Sequence, residues 1–324
     1  MFISVIITAY NRKNFIIDAV NSALDQTLLS DKFEVIVVTN FQNVNLTKLD
    51  NDMKIKHLCL QNGTVGRFIF EGLKISSGDI VSFLDDDDMY DSKRLETIYE
   101  IFSNFPEVNY YKSNITEINS FGKVLHDRRK KRNCHSGFYS RKELLQNGNV
   151  KRLQLNLSST TVRKNIFNSF IQILTAMTVG QDIWIYYIAM AYGGLMYLDC
   201  TPLTYYRIHN FQITGTNSSV NHYLEGYKST LELEKVIQDK DVQNDLEKTR
   251  YRMLVLSLSR GYNPSLEQIL EGFAFYLRHF TLNIRDCNVL SYSLFALTSQ
   301  ITLKKKATSL ISKVTNSFSR LGFL

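Results

Sequence analysis

The sequence predicts an α/β protein: a mostly parallel, doubly wound sheet of the Rossmann-like kind, followed by a helical C-terminal region. Two observations support this prediction. Continuous β-branched runs alternate with segments of helical periodicity through about the first hundred residues, and beyond His222 only helical periodicity remains. Strands that alternate with helices favour a parallel sheet, because each helix carries the chain back to the end at which the next strand starts.

The predicted strands are continuous apolar runs, the pattern of strands that are buried on both faces. They span residues 3–9, 33–38, 55–60 and 79–84. Apolar residues spaced three or four apart predict helices between them, within residues 15–24, 65–73 and 95–102. The pattern is mixed from Asn109 to about Ser219. We therefore predict a first domain over residues 1–219 and a helical region over residues 220–324.

Charge and hydropathy restrict the classes of partner. The chain has 324 residues, a formal net charge of +7 and an isoelectric point near 9.0, which favours anionic partners such as nucleotides or phospholipid surfaces. The sequence contains no zinc-finger or RNA-binding signature, so a nucleic acid is not expected. No run of about 18 apolar residues occurs, so no transmembrane helix is predicted.

The cysteines indicate a reducing environment. Cys59, Cys134, Cys200 and Cys287 are far apart in the sequence and form no C-x-x-C pair. This spacing suggests neither a zinc site nor a disulfide framework. A cytoplasmic location is therefore expected.

Four consecutive aspartates, Asp85 to Asp88, follow the predicted strand 79–84. In open α/β sheets, ligands bind at the carboxyl ends of the strands. Carboxylates at such a position are typical ligands of a hard divalent cation, Mg²⁺ or Mn²⁺, which often also holds substrate phosphates. The alternative is a solvated turn in which Asp91 caps the next helix, but a cap needs only one such residue.

Four segments resemble the inverting GT-A glycosyltransferases of family 2. In chain order they are SVIITAYNRKNFIIDAVNSALDQT, FEVIVVTN, GRFIFEGLKISSGDIVSFLDDDDMY and TYYRIHNFQIT. The resemblance covers Met1 to about Gly215, and the first and third segments are the most diagnostic. It implies a GT-A fold and a nucleotide-diphosphate sugar as donor, with a UDP-sugar as the expected one.

The resemblance also implies which residues contact the donor. Nucleotide-sugar contacts are expected from Thr8, Ala9, Tyr10, Arg12, Asn40, Arg67, Asp85, Asp86 and Arg207. Tyr10 is expected to stack on the base, the alternative being an aromatic residue packed in a loop. Asn40 stands where the family usually has an acidic residue, and its amide offers both an acceptor and a donor.

By the same resemblance, a divalent metal would be held by Asp87 directly, with Asp85 and His209 as further ligands. Asp85 and Asp86 would face the ribose or the metal's water molecules, and Asp88 is the least needed of the four. Arg207 and His209 alternate along a predicted strand and so share one face. They match the family's Y-R-x-H segment, which places them near the diphosphate or the metal.

Asp182 is the expected catalytic base. The family's base is the Asp of a Glu-Asp pair that opens a helix, and here Gln181-Asp182 precedes apolar residues at helical spacing. An inverting transfer needs one carboxylate to take the proton of the acceptor hydroxyl. Without the resemblance, Asp182 would be an aspartate stabilised by the helix dipole. Gln181 removes a charge that the family usually keeps near the acceptor.

Two basic segments suggest anionic surfaces. Residues 126–137 include five basic residues in a row, which predict either a solvated loop or a site for a polyprenyl-phosphate acceptor or membrane. Residues 287–324 contain no acidic residue, and their apolar positions repeat every three or four residues. This pattern predicts a basic amphipathic helix lying on an anionic membrane, which would make the protein peripheral to the cytoplasmic face. The alternative is a helix packed on its neighbours.

Three functions are compatible with these residues. The first is a glycosyltransferase of the hexosyl or N-acetylhexosaminyl type that builds a surface polysaccharide or glycoconjugate on a glycan or lipid-linked acceptor. The second is a non-catalytic sugar-nucleotide or glycan-binding homologue, which Asn40 and Gln181 keep open. The third is a sugar nucleotidyltransferase, but TAYNRKN lacks the Gly-rich loop which that class usually shows.

Overall fold

The computed structural model describes residues 1–42, 55–125, 134–146, 156–209 and 220–259, with residues 268, 270, 271 and 274 beyond them. The chain divides into two compact units. The first comprises Met1–Phe211 and Lys235–Val242, and the second comprises Gln212–Glu234 and Gln243–Leu324. The domain boundary that we placed between residues 219 and 220 stays a prediction.

Strands and helices alternate in the first part of the chain, as predicted. Each predicted strand lies within one residue of its observed bounds. The elements are β1 (Ile3–Ala9), α1 (Ile16–Leu24), β2 (Phe33–Thr39), β3 (Ile55–Cys59), α2 (Val65–Ile75) and β4 (Ile80–Asp85).

The strand β5 (Met89–Tyr90) and the helix α3 (Arg94–Asn104) come next, and α3 includes the helix predicted within residues 95–102. The region with the mixed sequence pattern then contains β6 (Val108–Asn119), β7 (Gly137–Ser140), α4 (Arg141–Gln146), β8 (Thr160–Arg163), α5 (Gln181–Tyr192) and β9 (Leu195–Ile208). Two longer helices follow, α6 (Val220–Glu234) and α7 (Lys240–Ser259).

Within the described residues, nine strands form one mixed sheet in the order β3-β2-β1-β4-β8-β6-β9-β5, with β7 paired to β9. The strands β3, β2, β1 and β4 run parallel to one another. Beyond them β8 runs antiparallel to both β4 and β6, whereas β6 and β9 are parallel. The predicted α/β fold class is confirmed.

The sheet is buried where β1 and β2 form its centre. Every residue of both strands is buried, which explains their unbroken β-branched sequences. The helix α2 crosses β1 so closely that a Cβ on Gly72 would lie 2.8 Å from Ile6 Cγ2. A larger residue at position 72 would push the helix off the sheet. The parallel pairing of β1 with β4 places their carboxyl ends side by side.

The structure corrects the prediction of no disulfide. Cys134 and Cys200 form one, with their Cα atoms 5.8 Å apart. They are separated by 66 residues, and they meet because β7 pairs antiparallel with β9, so that Gly137 lies opposite Leu198. Because disulfides persist mainly in oxidising compartments, the cysteine argument for a reducing environment no longer holds.

Both predicted membrane-binding segments lie wholly or largely outside the described residues. Residues 126–133 of the basic segment and all of residues 287–324 belong to the part that is not described. In the part of the chain that is described, no helix is long and apolar enough to span a bilayer.

Candidate active site

The candidate site lies where the carboxyl ends of β1 and β4 meet. The two strands pair in parallel, with Thr8 opposite Asp85. The four aspartates therefore begin at the last residue of β4, beside the loop that follows β1. Thr8 and Ala9 are buried in the sheet, so their side chains offer little surface to a ligand.

Arg12 lies against the aspartates. Its guanidinium binds both oxygens of Asp86, through Nη2 and through Nε at 3.2 Å, and its Nη1 lies 2.6 Å from Asp87 Oδ2. Burial alone would lower the pKa of Arg12, but the charges of Asp87 and Asp86 outweigh it and raise the pKa. A fork-shaped guanidinium suits this arrangement better than an ammonium, because it binds two carboxylates at once.

Asp87 also contacts His209, the residue that directly follows β9. The His209 ring nitrogen Nε2 lies 3.0 Å from Asp87 Oδ2, the same oxygen that Arg12 contacts. Burial opposes ionisation of Asp87, but the hydrogen bond from His209 and the charge of Arg12 lower its pKa below the usual value. Asp87 is thus the carboxylate of the cluster that these contacts keep ionised.

Asp88 anchors the loop instead of being the least needed aspartate. It is 1% exposed, and its carboxylate accepts hydrogen bonds from Ser158 Oγ at 2.6 Å, Asn156 Nδ2 at 3.2 Å and the backbone N–H of Arg207 at 2.9 Å. Burial and the charge of Asp87 raise the pKa of Asp88 to about 7. The sequence could not show this role, since all three donors come from distant segments.

Arg207 ties four segments together. Its side chain is 1% exposed and donates to Asp87 O at 2.8 Å, Ser120 O at 3.0 Å and Asp18 Oδ2 at 3.0 Å. The guanidinium also lies over the Phe15 ring, 4.5 Å from its centroid. These contacts give Arg207 a supporting role in the site, and its contact with the donor stays a prediction.

The aspartate cluster carries excess negative charge. Within the described residues, no hydrogen-bond donor reaches the Asp85 carboxylate, although the Asp85 N–H is bound by Ser158 Oγ. Burial and the charges of the other three aspartates raise the pKa of Asp85 well above its usual value, and burial raises that of Asp86 to about 7. An unpartnered carboxylate among like charges is suited to a hard cation.

The predicted metal ligands nevertheless do not converge as they stand. Among the described residues, no three Asp, Glu, His or Cys side chains form a group that could hold a metal ion. The guanidinium of Arg12 lies between Asp86 and Asp87, in the position where positive charge is needed. The oxygen-rich donor set fits Mg²⁺ or Mn²⁺ chemically. The metal site therefore stays a proposal.

A cavity of about 610 Å³ lies beside Arg67. Its walls are the turn between β3 and α2, Arg67 itself and Thr175. Its volume is in the range of nucleotide and cofactor sites. Arg67 is half-exposed and pairs with Glu71 at 2.7 Å, so its guanidinium can turn towards a ligand at little expense.

Tyr10 and Asn40 lie on the β1 side of the site. Tyr10 is 53% exposed, with its ring 5.9 Å from that of Phe68, so one face is open to a base. Asn40 donates to Asn11 Oδ1 at 2.7 Å and accepts from the Asn11 N–H at 2.9 Å. The structure therefore uses both polar functions of Asn40 internally, and its contact with the base stays a prediction.

Asp182 lies in the first turn of helix α5 and is hydrogen-bonded to a segment distant in sequence. Its Oδ1 accepts from the N–H of Ile183 at 2.9 Å, and its Oδ2 accepts from the N–H of Asn156 at 3.0 Å. Burial raises the pKa of Asp182, and the charge of Lys112 opposes that rise. The same Asn156 also donates to Asp88. One residue thus connects the expected base to the aspartate cluster.

Three polar residues of this site were not predicted. They are Asn11, Lys112 and Asn156. Lys112 had a visible signal, because it is the one lysine in β6 and directly follows Tyr110 and Tyr111. Asn11 and Asn156 had none, since their importance depends on positive φ angles of 57° and 67°.

Comparisons with known proteins show which family and which fold this chain resembles. Residues 4–162 match the model of the family described as glycosyl transferase family 2. Protein CgeD of Bacillus subtilis is 27% identical over 38% of this chain and 32% of its own length. The poly(ribitol-phosphate) β-N-acetylglucosaminyltransferase TarP of Staphylococcus aureus is 28% identical over 36% of this chain and 35% of its own length. The matched segments thus span about a third of each relative.

Solved structures of TarS from Staphylococcus aureus share the fold. Residues 1–349 of TarS align with 99% of this chain over 92% of their own length, at 14% identity and a TM-score of 0.62. The same TarS segment in complex with UDP-GlcNAc gives a TM-score of 0.58. The family match covers β1 to β4, the aspartates and most of β8, and the structural match covers the sheet. Residues 4–162 are therefore similar to the family 2 glycosyltransferases, and the chain shares the GT-A fold of TarS.

Proposed function

We propose that this protein is an inverting glycosyltransferase that transfers a sugar from a nucleotide-diphosphate sugar to an acceptor hydroxyl. The observation that carries the proposal is the arrangement around Asn156. Its side chain binds Asp88 of the aspartate cluster, and its backbone N–H binds Asp182. The aspartates that we propose to bind the sugar donor are thus connected through one residue to the candidate base.

The chemistry is a single displacement at the anomeric carbon. The acceptor hydroxyl attacks opposite the leaving nucleotide, and Asp182 takes its proton. The raised pKa of Asp182, caused by burial, makes the ionised carboxylate a stronger base than an exposed aspartate. Arg12 places positive charge beside Asp87, and His209 Nε2 lies within hydrogen-bond distance of the same carboxylate, so the two residues order the loop on the donor side.

A divalent cation is part of the proposal. Asp87, Asp85 and His209 would hold Mg²⁺ or Mn²⁺, which stabilises charge on a leaving diphosphate when it is bound. Arg12 binds Asp86 and Asp87 and neutralises part of their charge. Asp88 and Arg207 keep the loop in place.

A UDP-sugar is the proposed donor. The TarS structure in complex with UDP-GlcNAc shares the fold, which supports a nucleotide-sugar of this kind. The open face of Tyr10 and the cavity beside Arg67 offer places for the base, with Arg12 nearer the phosphates. We propose a hexose or N-acetylhexosamine as the transferred sugar, since TarP is named for N-acetylglucosamine transfer.

The acceptor is proposed to be a glycan or a polyprenyl-phosphate-linked intermediate in surface polysaccharide or glycoconjugate synthesis. The name of TarP, which refers to poly(ribitol-phosphate), supports a surface polymer. A peripheral location on the cytoplasmic face of the membrane, through residues 287–324, is proposed from the sequence pattern alone. Co-sedimentation with anionic liposomes tests it, and salt-independent or absent binding contradicts it.

A screen of nucleotide-sugars by thermal stabilisation, with and without Mn²⁺, tests the function. We expect a UDP-sugar to raise the melting temperature only when Mn²⁺ is present, because bound ligand stabilises the folded state. Hydrolysis or transfer of that sugar then separates an enzyme from a non-catalytic homologue. Release of diphosphate from a nucleoside triphosphate and a sugar phosphate would instead support the nucleotidyltransferase.

A further inference from the structure

Asn156 uses all its polar groups within the site. Its N–H donates to Asp182 Oδ2 at 3.0 Å, and its carbonyl oxygen accepts from Lys112 Nζ. Its side chain accepts from the N–H of Ser159 at 2.9 Å and donates to Asp88 Oδ2 at 3.2 Å. The residue therefore contacts the expected base, a buried cation and the aspartate cluster together.

The backbone of Asn156 is strained in the direction that these bonds require. It has φ 67° and ψ 111°, and among the described residues only Asn11 shares a positive φ without being glycine. Rotation about φ sets where the N–H points relative to the side chain. With the side chain fixed on Asp88 and Ser159, a positive φ aims the N–H at Asp182. Such strain persists only where neighbouring contacts enforce it.

Lys112 supplies the positive charge beneath this residue. It is 3% exposed, and its ammonium donates to Asn156 O and to Thr160 Oγ1 at 3.1 Å. The charges that act on it are Asp182, Asp85 and Asp88, which attract it, and Arg94, which repels it. Burial lowers the pKa of Lys112 to about 7, against the attraction of Asp182. A lysine is almost never fully buried unless its charge is paired with other groups.

We propose that Asn156 and Lys112 are positioning residues for catalysis. Asn156 aims its N–H at Asp182 and fixes this base at a set distance from the donor loop, while Lys112 locks the Asn156 carbonyl and provides the counter-charge for the ionised base. The inference rests on the proposed function, in which Asp182 takes the acceptor proton. It assigns to the two residues no contact with the substrate.

Two variants at position 156 separate backbone direction from side-chain contacts. Asn156→Gly and Asn156→Ala both lose the bonds to Asp88 and Ser159. Glycine adopts φ 67° freely, whereas alanine is disfavoured there. We expect kcat of Asn156→Ala to be about tenfold below that of Asn156→Gly, with the KM for the donor equal in the two, since a misdirected base slows only proton transfer. Equal kcat values in two folded variants would overturn the proposal.

Lys112→Met supplies a second test that does not depend on whether Asn156→Ala folds. Methionine fills the volume without the charge, so Asp182 loses the cation that favours its ionised form. We expect the acid limb of the kcat–pH profile to move up by at least about half a pH unit, with the donor KM unchanged. An unmoved limb would overturn the counter-charge role. The Lys112 variant must melt cooperatively at the assay temperature.

Asp182→Asn distinguishes failure of this inference from failure of the proposed function. If Asp182→Asn keeps full turnover, Asp182 is not the base and the proposed mechanism fails with it. A different outcome is that Asp182→Asn loses turnover while Asn156→Gly and Asn156→Ala have the same kcat and Lys112→Met leaves the acid limb of the kcat–pH profile in place. The assignment of Asp182 as the base then holds, and only the positioning roles of Asn156 and Lys112 are wrong.

Discussion

The two carboxylate regions of this site are built differently. The donor region, Asp85 to Asp88, gathers four carboxylates and meets them with Arg12, His209 and the N–H of Arg207. The acceptor region has one carboxylate, Asp182, bound by two backbone N–H groups and facing a single buried lysine. In the first region charge is concentrated and only partly neutralised. In the second region the single carboxylate of Asp182 is held in one orientation by two backbone N–H groups.

The difference indicates what each region does. Excess negative charge, with an Asp85 carboxylate that no donor among the described residues reaches, suits the binding of a cation and, through it, a diphosphate. A single carboxylate with a raised pKa and fixed direction suits the transfer of one proton. Substitutions in the donor region should therefore change the donor KM as well as turnover, whereas substitutions in the acceptor region should change kcat alone. Steady-state kinetics can distinguish the two regions in this way.

The largest effect is expected on the donor side. Asp87→Ala removes the carboxylate that joins Arg12 to His209, together with a proposed metal ligand. We expect turnover to fall by at least about a hundredfold and the donor KM to rise, because charge stabilisation on the diphosphate is lost. Steady-state kinetics with Mn²⁺ or with EDTA measure both effects.

The exposed Asp31→Asn is the matched control for that experiment and should behave as wild type. Full activity of the wild-type protein in EDTA would remove the metal from the proposal. Full activity of Asp87→Ala would show that the aspartate cluster is not part of the catalytic site.

On the acceptor side, Asp182→Asn keeps the shape but cannot accept a proton. We expect kcat to fall by about a hundredfold while the donor dissociation constant stays the same, because the base serves the acceptor. Isothermal titration with the donor and initial rates with the acceptor separate the two quantities. If Asp182→Asn lost donor binding, Asp182 would be a donor-binding residue, and the proposed division between a donor and an acceptor region would be wrong.

The smallest effect is on stability and sharpens the role of Lys112. Its pKa is lowered to about 7 in the folded state, so the unfolded chain binds more protons above pH 7 and stability should rise with pH towards the ordinary lysine pKa. We expect the melting temperature of wild type minus that of Lys112→Met to grow by about 2–6 °C from pH 7 to pH 10. The exposed Lys123→Met is the control and should show no such trend.

A growing difference for Lys112→Met but not for Lys123→Met would show that a buried ammonium is the source. A constant difference would mean that Lys112 titrates as an exposed lysine does. The acceptor region would then lack the counter-charge that distinguishes it from the donor region.

Much of the fold could be predicted from the sequence because its signals are local. The apolar runs of β1, β2 and β4 and the helical periodicity of α1 to α3 depend on neighbours within a few residues, and the observed bounds follow them closely. The antiparallel β8 and the long β9 were harder to predict. Their short or mixed sequences acquire strand structure through pairing with distant strands.

The pairing of Cys134 with Cys200 was missed for a related reason. Nothing within either local sequence marks a partner 66 residues away, and the register of β7 on β9 brings the two together. A lone pair of widely spaced cysteines therefore cannot be assigned from spacing alone. The same limit applied to Asp88, whose three donors come from two distant segments, Asn156–Ser158 and Arg207.

The sequence by itself determined the alternation of strands and helices, the position of four aspartates at the end of a strand, and the aspartate that opens α5. These follow from hydrophobic period and from residue order. The tertiary structure alone decided that Arg12 binds Asp86 and Asp87, that Asp88 anchors the loop, and that Asn156 joins Asp88 to Asp182 over Lys112. The physical reason is that the interaction between two charges depends on the distance between them in space. Strand register sets that distance, and the order of residues in the sequence does not.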